Sequence, residues 1–327
     1  MKLLAALSAL LTLTHAASRT EPPAGALVVG GSGSYSKIQD AVNALSTTST
    51  TAQSIFINPG TYKEQVYIPA RKAALTIYGY TSNTAAYSSN QVTITQGKSQ
   101  DDSANNDLTA TVRAWSTNFK MYNINMVNTR GKGSQALAIS AQADKQGYYA
   151  CQFKGFQDTV LSQTGAQVFA KSYIEGATDF IFGQHASTWF DGVTIGVLSA
   201  SVGYITASGR SSSSDANYYV INKSTVQAAS GNTVTAGAYY LGRPWGNYAR
   251  VVFQNTALSA VINSAGWKIW NTGDERTDHV TFAEYGNTGA GASGTRASFS
   301  SKLSAPVAIT TILGSGYTSW VDTSYLS

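Results

Sequence analysis

The strongest constraint on this chain is a repeat. Six segments resemble one another: MYNINMVN, YACQFKGF, AKSYIEGA, WFDGVTIG, VINKSTVQ and FQNTALSA. Each sets a small residue against a β-prone stretch, at Asn123, Cys151, Ser172, Asp191, Asn222 and Asn255, with gaps of 28, 21, 19, 31 and 33. Self-similarity at this period, with variable spacing, predicts a solenoid whose coils are interrupted by loops of unequal length. Short runs such as Ser54-Ile55-Phe56-Ile57, Leu75-Thr76-Ile77-Tyr78 and Val92-Thr93-Ile94-Thr95 read as its strands. A β-sandwich needs hairpin turns, and Asp191-Gly192 is the one Asn-Gly or Asp-Gly pair in the chain. The repeat favours a parallel solenoid over the sandwich.

Composition agrees. Hydrophobic residues make up 43% of 327 positions, enough for a long core, while charged residues make up 12%, about half the usual ~25%. The net charge of +5 is scattered without a basic run. It suits a polyanion, nucleic acid or acidic polysaccharide, and no nucleic-acid motif is present. Lys2, the apolar run Leu3 to Leu13 and the small residues Thr14 to Ala17 form a secretory signal, so residues 1–17 are expected to be removed and the mature protein to be extracellular. The run is too short for a membrane span, and no later stretch is long enough. Ser18 to Ala26 reads as a flexible lead-in, and residues 27–327 as one domain.

Ser36 to Leu45 carries Ile38, Ala41, Val42 and Leu45 at helical spacing, with Ser36 as N-cap, and is placed as a cap on one end of the stack. Gly31-x-Gly33 lacks the third glycine of a nucleotide loop and reads as a turn. Gly266 to Ser327 reads as loops and small helices against the outside of the stack. Cys151 is the lone cysteine and sits on the repeat, which makes it a core residue and not a reactive thiol. Asn222-Lys223-Ser224 is the single glycosylation sequon, and its place on the repeat predicts a buried, unmodified asparagine.

Only His185 and His279 remain beyond the leader, with no H-E-x-x-H, no Cys/His cluster and no G-x-S-x-G. Zinc chemistry and a serine-histidine triad are disfavoured. Carboxylates remain. Asp158 and Asp179 are 21 positions apart, the same gap as Cys151 to Ser172, so both pairs are expected to stack one coil apart. Gln135 lies 22 before Gln157. A column of Gln135, Gln157/Asp158 and Asp179 would hold a proton donor beside an anion, with two amides to hold an oxyanion. Solenoids also stack such residues for stability alone, and spacing leaves both readings open. Adjacent Gln157 and Asp158 share one site only if the backbone bends between them. Leu241-Gly242-Arg243-Pro244-Trp245 is either a packed corner or a carboxylate-binding arginine with an aromatic platform.

The chain resembles the pectin methylesterases (pectinesterases, carbohydrate esterase family 8), in their fungal form, from Val29 nearly to the C-terminus. The resemblance rests on GGSGSYSKIQDAVNAL, Gly60-Thr61-Tyr62-Lys63-Glu64, Gln135-Ala136-Leu137-Ala138-Ile139, Gly155-Phe156-Gln157-Asp158-Thr159, Asp179-Phe180-Ile181-Phe182-Gly183, Leu241 to Trp245, Gly266-Trp267 and Ala283-Glu284-Tyr285, in that order. It implies a right-handed parallel β-helix that removes methyl esters from polygalacturonan. No cofactor or metal is expected, and with the oligomeric state open a monomer is the default. Asp179 is then similar to the nucleophile and Asp158 to the proton donor and general base. Gln135 and Gln157 resemble the oxyanion holders, Arg243 the residue that orients Asp179, and Trp245 a sugar platform. Thr111 matches a substrate-contact position. Val160-Leu161 departs from the Leu-Tyr of many relatives, which removes one subsite tyrosine. A lyase would need a calcium-binding carboxylate cluster and an inverting hydrolase a wider group of aspartates. A noncatalytic wall-binding solenoid would not need two adjoining carboxylates.

Overall fold

The computed structural model describes residues 17–327; the expected leader lies outside them except for Ala17. The described residues form three parallel sheets of eleven, seven and eight strands. The seven complete coils contribute one strand to each sheet, and the eleven-stranded sheet runs on at both ends. One such coil runs Gln146–Tyr149, Gln152–Lys154 and Val160–Ser162, and the next Thr164–Ala170, Tyr173–Gly176 and Thr178–Gly183. This is an all-β parallel β-helix.

Register explains the repeat and corrects its reading. In the eleven-stranded sheet Tyr122, Tyr149, Ala170, Asp191, Asn222, Gln254 and Tyr285 are partners in turn. The residue after each is left-handed: Asn123, Ala150, Lys171, Gly192, Lys223, Asn255 and Gly286, all with φ between 46° and 60°. Asn and Gly tolerate that conformation best. The six small residues therefore do not form one ladder. Asn123 and Asn255 hold the turn, Asp191 and Asn222 lie one position before it, and Cys151 and Ser172 one after. At that third position side-chain oxygens accept backbone amides of the coil before. Cys151 N–H donates to Ser172 Oγ (3.0 Å), Val193 N–H to Ser224 Oγ (3.1 Å) and Ser224 N–H to Thr256 Oγ1 (3.3 Å).

Side chains pointing inward stack. Tyr148, Phe169 and Phe190 lie face to face at centroid distances of 4.7 and 5.0 Å. Cys151 is fully buried, and burial pushes its thiol up to about 12, which keeps it protonated and inert. Asn222 is buried; its Nδ2 donates to Asp191 Oδ2 (3.0 Å) and its Oδ1 accepts from Gln254 Nε2 (3.0 Å).

Both ends are closed. Helix Ile38–Ala44 covers the first coils with Ile38, Ala41 and Val42. Ser36 is not its cap: the Glu64 carboxylate accepts from the Ile38 and Gln39 amides, both at 2.9 Å. A charged oxygen from the bend after strand Gly60–Lys63 takes the place of the local hydroxyl. The lead-in is pinned and not free. Arg19 pairs with Thr81, its guanidinium lies 4.7 Å from the Tyr78 ring centre, and it donates to Asn123 Oδ1 (3.0 Å). The C-terminal region does more than pack outside. Thr281–Tyr285 and Ser300–Lys302 extend the eleven-stranded sheet, and Glu284 ends the inner column in an ion pair with Arg296 (2.7 Å). The last turns then fold back over that sheet's outer face. Ile312, Leu313, Trp320, Val321 and Tyr325 bury against Tyr149, Val168, Trp189 and Val220.

Candidate active site

The outer face of the seven-stranded sheet carries the site. Strand Thr178–Gly183 holds Asp179, and the chain just before Val160–Ser162 holds Gln157 and Asp158. Gln157 bridges to Thr178, and Asp158 N–H donates to Thr178 O (3.1 Å). The carboxylates are therefore equivalent positions on adjacent coils, about 4.8 Å of strand spacing apart. The backbone bends as the shared site requires. Asp158 and Asp179 have φ of 63° and 50°. The Ala177 and Thr178 amides both donate to Phe156 O, and the register to the next strand slips between Thr178 and Ile181. Bulges of this kind re-aim side chains, and here they turn Gln157 and Asp158 to one cleft.

A second irregularity places Gln135. Ile139 pairs with Val160, an offset of 21. The Ala138 and Ile139 amides share Thr159 O, and upstream Ala136 donates to Gln157 O. One extra residue is absorbed, which sets Gln135 beside Gln157 at an offset of 22. Gln135, Gln157, Asp158 and Asp179 all line one cavity of about 370 Å³.

Arg243 and Trp245 arrive from 64 residues beyond Asp179. Arg243 grips Asp179 with two parallel bonds, Nε to Oδ1 (2.9 Å) and Nη2 to Oδ2 (2.7 Å). Its guanidinium is clamped between Tyr204 (4.1 Å to the ring centre) and Trp270 (4.3 Å). Trp245 lies over Gly209, where an added Cβ would come within 2.4 Å of the indole, and 6.1 Å from the Phe182 ring. Only a glycine admits that approach.

Thr111 lies elsewhere. It is fully buried, its Oγ1 donating to Val127 O (3.1 Å) and accepting from Gln96 Nε2 (3.1 Å). It supports the coil under Gln135 and does not face the cleft. Gln100, Asn106, Phe182, Ala207 and Trp270 complete the lining. Asn106 reaches Asp158 Oδ2 (3.4 Å) from a loop and short helix 52 residues upstream. Trp270 belongs to the Gly266 to Ser327 segment that the sequence places outside the stack, and no pattern marked Gln100 or Asn106. Their loop has no period, so only contact reveals them.

Burial and then the Asp179 charge push the Asp158 carboxyl well above the ordinary carboxylate value, against the Asn106 bond and Arg243. Burial also raises Asp179, and the Arg243 bonds oppose it. Two adjoining carboxyls cannot both ionise freely. Of the two, Asp179 has the bound guanidinium that favours its charged form. The arrangement is two buried carboxyls, one of them gripped by a guanidinium, in one cavity with two glutamine amides. Among the described residues no group of three or more His, Cys, Asp or Glu side chains is placed to hold a metal ion.

A family model described as Pectinesterase matches residues 26–305. A pectinesterase of Aspergillus aculeatus is 58% identical over 314 residues, covering 95% of each chain, and one of Aspergillus niger 56% identical over 315 residues, again 95% of each. The solved pectin methylesterase of Aspergillus niger is similar at a TM-score of 0.89 and 43% identity, over 94% of this chain and 100% of that one. The carrot pectin methylesterase gives 0.81 and 28% over 94% and 98%. The chain belongs to the pectinesterase family, and is thereby a carboxylic ester hydrolase.

Proposed function

We propose that this protein hydrolyses the C6 methyl esters of polygalacturonan in plant cell-wall pectin, outside the cell, through an acyl intermediate on Asp179. The observation that carries this reading is the pair of buried carboxyls on adjacent coils, one bound by Arg243, in one cavity with Gln135 and Gln157. The Asp179 carboxylate, oriented by both Arg243 bonds, attacks the ester carbonyl carbon. Negative charge grows on the carbonyl oxygen, and the Gln135 and Gln157 amides donate to it. The tetrahedral intermediate collapses, the C–O bond to the methoxy group breaks, and Asp158 transfers its proton so that methanol leaves. The product is an anhydride between Asp179 and the sugar. Asp158, now ionised, takes a proton from water as it attacks the anhydride. Collapse frees Asp179 as the carboxylate and the galacturonic acid, which loses its remaining proton to solvent, with the other proton of water now on Asp158. Trp245 offers its face to a sugar ring at the cleft wall.

The test is incubation with highly methylated pectin, following methanol, base uptake and chain length together. Equal release of methanol and acid at constant chain length supports the reading. Shortened chains or unsaturated ends would replace it with a depolymerising pectinase. Binding without any product would leave a wall-binding solenoid.

A further inference from the structure

Of the two buried carboxyls, Asp158 is the less tethered. Asp179 takes two bonds from Arg243. Among the described residues the Asp158 carboxyl has one hydrogen-bond partner, the Asn106 amide, whose Nδ2 donates to Oδ2 (3.4 Å). The charged groups that act on it are Asp179 and Arg243.

Asn106 is itself held from behind. Its Oδ1 accepts from Gln100 Nε2 (2.6 Å), which turns the amide so that Nδ2 faces Asp158. The main-chain N–H of Gln100 donates to Gln135 O (3.0 Å). The segment that carries both residues is pinned at each end. Buried Asn128 donates from one amide to Lys98 O (2.9 Å) and Thr109 O (3.0 Å). Arg130 binds Asp101 Oδ2 through Nε (3.2 Å) and Nη2 (2.6 Å). Asn105 Oδ1 accepts the Leu108 N–H (3.1 Å), which sets the turn from which Asn106 projects. A chain of bonds, Gln135 to Gln100 to Asn106 to Asp158, thus ties one carboxyl to the coil that carries a cavity amide.

A carboxyl that gives a proton in one half of a reaction and takes one in the other works best when one oxygen serves both steps. An N–H on Oδ2 makes that oxygen an acceptor whether the carboxyl is neutral or ionised, so the proton that moves is carried on Oδ1. Burial and the Asp179 charge raise Asp158, and the Asn106 bond opposes them because it stabilises the ionised form.

We propose that Asn106 is a positioning residue for the acid and base steps: backed by Gln100, its N–H fixes the Asp158 carboxyl, reserves Oδ1 for the moving proton and stabilises the anion left when methanol departs. Oδ1 gives its proton to the methoxy oxygen and later takes one from water, while Asn106 gives up none. This rests on the pectinesterase reading of the cavity.

The test is the pH profile of kcat on a short, fully esterified galacturonate oligomer, with circular dichroism to check the fold. Asn106→Leu keeps the bulk of the side chain and removes the donor. Its kcat should fall about 10-fold at the wild-type optimum, with KM within about 2-fold of wild type. Its alkaline limb should move up by about one pH unit, since the ionised form of Asp158 has lost its bond. Gln100→Leu leaves Asn106 in place and should move the limb the same way by less, with kcat down about 3-fold. An alkaline limb that stays put in Asn106→Leu, or in Gln100→Leu should the first variant not fold, overturns the proposal. So does a rise in KM at unchanged kcat, which marks a sugar contact instead. Absence of methanol from the wild-type enzyme would overturn the pectinesterase reading of the cavity.

Discussion

The two long outer faces of this β-helix come from the same coils and meet opposite fates. On the eleven-stranded face the outward column is apolar and aromatic, with Tyr78, Tyr122 and Tyr149 stacked at 5.3 and 4.8 Å. The C-terminal turns cover it with Ile312, Leu313 and Trp320. On the seven-stranded face carboxylates and amides stand outward among apolar residues such as Phe182 and Ala207, and they line a cavity. The first face follows ordinary burial: apolar surface removed from water stabilises the fold. The second holds two carboxyls in strained backbone at raised proton affinity, which destabilises it. Stability and chemistry are therefore divided between faces of one scaffold.

That division can be broken from either side. The largest effect is expected on the open face. Asp179→Asn should lower kcat by on the order of 10⁴ or more, because the nucleophile is gone. Its circular dichroism should match wild type. Turnover near the wild-type rate would remove Asp179 from the mechanism. On the closed face, Trp320→Ala should cost about 3–5 kcal/mol of stability, read as a drop in denaturation midpoint. Its kcat at low temperature should hold. A loss of kcat without a loss of stability would mean that the faces are coupled.

The third expectation concerns pH. The folded Asp158 carboxyl lies above its unfolded value. Its contribution to stability is thus fully present below the unfolded value and is lost as pH rises through the folded one. Asp158→Asn removes that loss. Near neutral pH the variant should be more stable than wild type by about 1 kcal/mol, and near pH 3 the gain should vanish. Its kcat should fall by about 10²–10⁴. Wild-type activity should decline on the acid side as Asp179 takes a proton, and on the alkaline side as Asp158 loses its own. A stability gain equal at both pH values would show that Asp158 carries no strain of charge. The smallest effect belongs to the end cap. Glu64→Ala should cost about 1 kcal/mol by freeing the Ile38 and Gln39 amides, whereas Ser36→Ala should cost almost nothing.

Much of the candidate site is legible in the sequence because a solenoid converts spacing into distance. The 21-residue step that joins Val160 to Ile181 also joins Asp158 to Asp179. Thr111 shows the limit of motif matching. Its neighbours in sequence fit, but its side chain points inward, where Gln96 and Val127 O bind it. Asn106 was invisible for the opposite reason. It lies in an aperiodic loop, and its link to Asp158 crosses 52 residues.

The sequence by itself determined the coil. Inward apolar residues at a repeating interval, with asparagine or glycine at four of the seven left-handed turns named above, leave few alternatives to stacking, since burial and turn sterics are local and additive along the repeat. The motif sequences also named the family, as the comparisons then showed. The tertiary structure alone decided the rest. It brought Arg243 and Trp270 from later loops to Asp179, set Trp245 on Gly209, and closed one face while leaving the other open. It also bent Asp158 and Asp179 into one cleft. The physical reason is that these outcomes depend on desolvation and on contacts between distant segments. Neither exists until the coils have stacked.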